Sequence, residues 1–192
     1  MVSVLNLPNV ITLGRVILIP VIFWLLVSGN TRAAFLAFLC AGFSDLIDGF
    51  LAKRLDLRTE LGAYLDPLAD KLLIASIYIA LGVLGSLPSW LVIAVVSRDI
   101  LIVLGVLLAW LIGHPLRIDP AWISKLNTVF QIVLAATVLA DLGFELGLGR
   151  LRWIMVWATG ALTLLSLATY LQTWLRHMTG YESGGAGGPP AL

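Results

Sequence analysis

The sequence predicts an all-α polytopic membrane protein built on six spanning helices. Of its 192 residues, 60% are hydrophobic and only 12% are charged, and the mean hydropathy is +1.01. Soluble domains carry about twice that share of charge. The apolar residues also fall into six runs, each close to the roughly 20 residues a helix needs to cross about 30 Å of hydrocarbon. The length suits one helical bundle and leaves no room for a separate soluble domain. A net charge of +1 gives no basic surface for nucleic acid.

The six runs cover roughly residues 10–28, 33–52, 62–84, 88–111, 122–141 and 150–175. Turn-forming residues separate them: Ser28-Gly29-Asn30, Gly85-Ser86-Leu87-Pro88, Gly113-His114-Pro115 and the glycines from Gly143 to Gly149. Ahead of the first run, Leu5–Thr12 reads as a short interfacial lead-in. Met1–Pro8 has no basic stretch and the run behind it is too long for a signal core, so no cleaved signal peptide is expected. The start Met-Val-Ser lacks the glycine that myristoylation requires. Residues 1–178 form the predicted membrane domain. The tail 179–192 is rich in glycine and proline and is expected to be disordered.

Orientation follows from the cations. With the N-terminus inside, Lys53, Arg54, Arg58, Arg117, Lys125 and Arg176 lie at cytoplasmic ends, and Arg32, Arg150 and Arg152 lie outside. Trp24, Trp90 and Trp153 then mark the outer interface, and Trp110, Trp122 and Trp174 the inner one. Both termini are placed inside. No internal repeat is visible.

Four carboxylates interrupt this apolar pattern. Asp45 and Asp48 stand at the end of the second run, Asp66 and Asp70 at the start of the third. An acidic side chain at mid-membrane costs about 2.5–3.5 kcal/mol on insertion scales, so a cluster of four needs cations or substrate to compensate it. At 100° per residue, Asp45, Asp48, Gly49 and Ala52 share an arc of about 100°, and Gly62, Asp66 and Asp70 one of about 80°. Two helices joined by a short loop pack antiparallel, so the stripes can face each other across a small polar cleft. Asp48 lies about 7 Å from the basic residue Lys53 along the helix, near lipid-headgroup height.

Carboxylates without thiol or imidazole select hard cations, Mg²⁺ or Mn²⁺. Two such ions would balance the charge and bridge phosphate oxygens during displacement at phosphorus. Gly49 and Ala52 leave room for a flat base or sugar, and Lys53, Arg54 and Arg98 can answer pyrophosphate charge. Cys40 is the only cysteine, and His114 and His177 stand alone, so zinc is not supported. Taken singly, each aspartate could serve helix packing, and Arg98-Asp99 could be a structural ion pair.

At these positions the chain resembles the CDP-alcohol phosphotransferases, whose signature is D-x2-D-G-x2-A-R-x8-G-x3-D-x3-D. Here it reads Asp45, Asp48, Gly49, Ala52, Lys53, Gly62, Asp66, Asp70. Every spacing is kept, and lysine replaces arginine at Lys53. The resemblance also takes in Asn6-Leu-Pro-Asn9-Val-Ile-Thr12-Leu-Gly-Arg15 and Leu65-Asp-Pro-Leu-Ala-Asp-Lys71.

It implies the CDP-alcohol phosphotransferase fold, a homodimer, and an active site open to the inner leaflet. It further implies metal ligation by Asp45, Asp48, Asp66 and Asp70, with Asp70 also serving as the base, and CDP contacts from Gly49, Ala52, Lys53 and Gly62. The reaction implied is transfer of a phosphatidyl group from CDP-diacylglycerol to a glycerol-based hydroxyl, with release of CMP. Arg98, Lys125 and Asn127 are the expected acceptor or phosphate contacts. Ser97-Arg98-Asp99 and Ser124-Lys125-Leu126-Asn127-Thr128 look more like eukaryotic-type cardiolipin synthases than like synthases acting on glycerol 3-phosphate. Asn127 in place of a second lysine removes one cation, which favours the singly charged phosphatidylglycerol, with glycerol 3-phosphate as the alternative. A divalent-cation transporter and a catalytically dead lipid scaffold are the competing classes. A bacterial inner membrane is the expected location.

Overall fold

The structure is a computed structural model that describes residues 7–54, 60–111 and 122–184, with side chains for 13–44, 68–105, 108, 111 and 122–175. The described residues form six helices and no strand: α1 Leu7–Val27, α2 Thr31–Arg54, α3 Glu60–Val83, α4 Ser89–Leu111, α5 Trp122–Phe144 and α6 Gly149–Gly184. The shortest has 21 residues, enough at 1.5 Å per residue to match about 30 Å of hydrocarbon. Among the described residues, α5 and the Gly149–Leu175 part of α6 are both long and apolar enough to cross a membrane.

Two boundaries differ from the sequence reading. From Leu7 on, the expected lead-in is part of α1, where Pro8 falls in the first turn and loses no hydrogen bond. At the other end α6 runs to Gly184, beyond Thr179 where the irregular tail was expected to start. A single Gly180 among helix-compatible residues costs only about 1 kcal/mol and does not stop a helix. Residues 185–192 lie outside the described part.

Glycine-centred turns reverse the chain where the punctuation predicts. Gly29 ends α1 in the left-handed region at φ 79°, and the Asn30 amide donates to the Leu25 carbonyl at 2.9 Å, closing the orphan carbonyls of the last turn. Asn30 then caps α2, its side-chain oxygen accepting from the Ala33 amide at 3.4 Å. Gly85, at φ 70°, repeats the device after α3, with the Ser86 amide donating to the Leu81 carbonyl at 2.8 Å.

Helix α1 packs on both α2 and α3, α5 packs on α2, α3 and α6, and α4 packs on α3 and α6. No direct packing joins α2 to α3 among the described residues. Among those residues α1 and α5 each pack on both helices, and the ends of α2 and α3 next to their connection, where the antiparallel pairing was expected, lie outside the described side chains. A dry core fills the half of the bundle away from the α2–α3 connection. It is built from Ile22, Leu26, Phe38, Ile77, Tyr78, Leu81, Leu91, Leu134, Val138 and Leu139.

The start of α2 is pinned to the end of α5. Arg32 Nε donates to the Gly143 carbonyl at 2.6 Å, and Thr31 Oγ1 to the Leu142 carbonyl at 3.1 Å. A Cβ on Gly143 would sit 3.2 Å from Arg32 Cα and 3.4 Å from its amide nitrogen. Backbone cannot swing aside as a side chain can. Gly143→Val is therefore expected to spread α2 from α5 and lower stability by about 1–3 kcal/mol, measurable by thermal unfolding in detergent.

Candidate active site

Between α2 and α3, walled by α1 and α5 and touched by α4, lies a cavity of about 520 Å³. Its sides are mostly apolar, with Phe38, Leu39 and Phe43 from α2, Leu73 and Ile74 from α3, and Ile132 from α5. Its charges come from Arg15 on α1, Asp70 and Lys71 on α3, and Asp99 on α4. The cavity thus joins an apolar wall to a charged floor, the profile of a site for an amphiphile.

Asp70 reaches the cavity with its side chain 44% exposed, and its Oδ1 accepts from Arg15 Nη1 at 2.7 Å. Arg15 itself is 1% exposed. A carboxylate gripped by a buried guanidinium cannot swing freely, so its position in the cavity is set by α1 as well as by its own helix.

On the neighbouring register position, Lys71 Nζ donates to Asp99 Oδ1 at 3.0 Å, and the same oxygen accepts from Arg98 Nη1 at 2.6 Å. Arg98 is buried in the bundle. Its Nε and Nη2 donate to Ser166 Oγ at 3.2 and 2.7 Å, and Nη2 also donates to Ser124 Oγ. These contacts tie α4 to α5 and α6.

The remaining expected site residues divide into three groups. Asp45, Asp48, Gly49, Ala52 and Lys53 lie on α2, and Gly62 and Asp66 on α3, but their side chains are outside the described residues. Both segments are helical, so the i, i+3 and i+4 spacing keeps each set on one stripe. Asp45 lies two positions beyond the cavity residue Phe43, and Asp66 one turn from Asp70, about 6 Å along the axis. Among the described residues alone, no three acidic, histidine or cysteine side chains form a metal-binding group. The full set, all carboxylate oxygen on two helices flanking one cavity, is nonetheless suited to hard divalent cations.

Lys125 is exposed at the start of α5. Arg98 and Asn127 depart from expectation. Neither lines the cavity, and Arg98 spends its donors on Asp99, Ser124 and Ser166. Asn127 is 0% exposed and faces α6, its Oδ1 accepting from Thr163 Oγ1 at 3.0 Å. It is not among the residues that line the cavity. The reason is rotational: Thr128 and Gln131 on α5 face the cavity, and Asn127 sits on a neighbouring arc of the helix.

Arg15, Lys71, Asp99 and Gln131 are cavity residues that the motif does not contain. One signal marks the first three in the sequence: each is a charge inside an apolar run, where an unpaired charge is costly.

The family model for CDP-alcohol phosphatidyltransferase matches residues 5–165. A chloroplastic CDP-diacylglycerol–glycerol-3-phosphate 3-phosphatidyltransferase of Oryza sativa is 36% identical over 185 residues, covering 86% of this chain and 56% of the relative. The cardiolipin synthase (CMP-forming) of Homo sapiens is 33% identical over 151 residues, covering 70% and 50%. The CDP-diacylglycerol–glycerol-3-phosphate 3-phosphatidyltransferase of Escherichia coli is 38% identical over 143 residues, covering 70% and 76%. The chain spans about half the length of the rice and human relatives.

Proposed function

This chain belongs to the CDP-alcohol phosphatidyltransferase family, and from that premise we propose that it transfers the phosphatidyl group of CDP-diacylglycerol to a glycerol-based acceptor in anionic phospholipid synthesis. The observation that carries the reading is the placement of both halves of the aspartate signature on helices flanking a cavity with Asp70 in its wall. The six helices are six membrane spans, with both termini and the reacting end on the cytoplasmic side of a bacterial inner membrane, in a homodimer.

In this reading Asp45, Asp48, Asp66 and Asp70 would hold two divalent cations, Mg²⁺ or Mn²⁺, which would supply positive charge to neutralise phosphate oxygens. Gly49, Ala52 and Gly62 accept the CDP moiety close to the helix backbone, and Lys53 answers its phosphate charge. Asp70 takes the proton of the acceptor hydroxyl. The freed oxygen bonds to the lipid-bearing phosphorus, and the bond from that phosphorus to CMP breaks, its electron pair leaving with CMP. Arg15 keeps the Asp70 carboxylate oriented for this transfer, and Lys125 meets the acceptor headgroup at the membrane surface.

Phosphatidylglycerol is the leading acceptor, because Ser97-Arg98-Asp99 and Ser124-Lys125-Leu126-Asn127-Thr128 resemble the eukaryotic-type cardiolipin synthases, and the apolar cavity walls suit a lipid acceptor as well as the donor. Glycerol 3-phosphate is the second reading, favoured by the printed names of the rice and Escherichia coli relatives. Purified protein supplied with labelled CDP-diacylglycerol and each acceptor separately separates them by the lipid product formed. EDTA is expected to stop CMP release and Mg²⁺ or Mn²⁺ to restore it. Absence of CMP release with either acceptor, together with ion flux in proteoliposomes, would replace the enzyme by a cation transporter.

A further inference from the structure

We propose that Lys71 receives the phosphate of the acceptor, held in place by Asp99, which acts as a positioning residue. The inference rests on the transferase reading above and adds to it the group that selects the acceptor.

Two cations line the cavity, and they differ in availability. Arg15 is buried and paired with Asp70. Lys71 is 35% exposed, and its ammonium carries three N–H donors of which Asp99 takes one at 3.0 Å. Lys71 follows Asp70 directly on α3, so an anion on its ammonium is held beside the carboxylate proposed to take the acceptor's proton.

Asp99 is poorly suited to neutralise Lys71, because it is shared. Its Oδ1 lies 2.6 Å from Arg98 Nη1 as well as 3.0 Å from Lys71 Nζ. Arg98 is fixed through two serines on α5 and α6. Lys71 therefore keeps N–H donors and positive charge for an anion in the cavity. Phe43, Leu73 and Ile74 in the same cavity suit the acyl chains of a lipid acceptor. The donor lipid also carries phosphate, so the test must separate the two substrates.

Full-length protein in mixed micelles is assayed for CMP release, varying CDP-diacylglycerol and each acceptor independently. Lys71→Gln is expected to raise the acceptor KM at least tenfold and leave the KM for CDP-diacylglycerol within twofold. Lys71→Arg, which keeps the charge, is expected to recover most of the loss and guards against a folding defect. Asp99→Asn is expected to raise the acceptor KM several-fold with kcat little changed. An unchanged acceptor KM in Lys71→Gln overturns the inference, as does a rise confined to the donor KM. Neither result touches the proposed reaction, which stands or falls on whether the unmodified protein releases CMP.

Discussion

Asp70→Asn is expected to lower turnover by a factor of at least about 10²–10⁴, the range that a positioned general base supplies. Asparagine keeps the shape of the side chain and an oxygen that can still accept from Arg15, so the buried guanidinium retains a partner at the position now 2.7 Å away. What disappears is the capacity to take a proton and one negative charge for the cations. Asp45, Asp48 and Asp66 remain, and CDP-diacylglycerol should still raise the thermal stability of the variant in the presence of Mg²⁺. Loss of turnover with retained donor binding is the signature expected. Near-normal rates would remove Asp70 from the role of base.

The second large effect is on stability. Arg98→Met is expected to destabilise the bundle by about 3 kcal/mol, the lower end of what breaking a buried ion pair costs. Arg98 donates to Asp99, Ser124 and Ser166 and so joins α4 to α5 and α6. Hydrogen bonds between membrane helices average only about 0.6 kcal/mol each. The bonds alone thus account for about half of the loss. The remainder comes from Asp99, a largely buried carboxylate left with Lys71 as its cation. Unfolding in detergent measures the change. A loss below about 1 kcal/mol would show that Arg98 is not the tie between these helices, and Asp99→Asn combined with Arg98→Met should recover part of the loss by removing the stranded charge.

The helices were legible in the sequence because each is an apolar run of about 20 residues bounded by turn-forming residues. Such stretches are local, and so are the turns that end them: Gly29 and Gly85 take up the left-handed backbone where the punctuation placed it. The two halves of the aspartate signature fall on α2 and α3, each with a spacing that suits a helix. The relation between helices was not legible. Among the described residues α1 and α5 each pack on both α2 and α3, and a cavity lies between those two helices.

What the sequence by itself determined is the helical class and the six helical segments among the described residues, because each follows from hydropathy and turn residues within one segment. Only the tertiary structure decided which charges inside the apolar runs share a site. Arg15 meets Asp70 across 55 positions of sequence and Lys71 meets Asp99 across 28. Asn127, close to the cavity in register, instead faces α6. Those outcomes turn on the rotation of each helix against its neighbours, and rotation is set by packing over the whole bundle, which no single segment encodes.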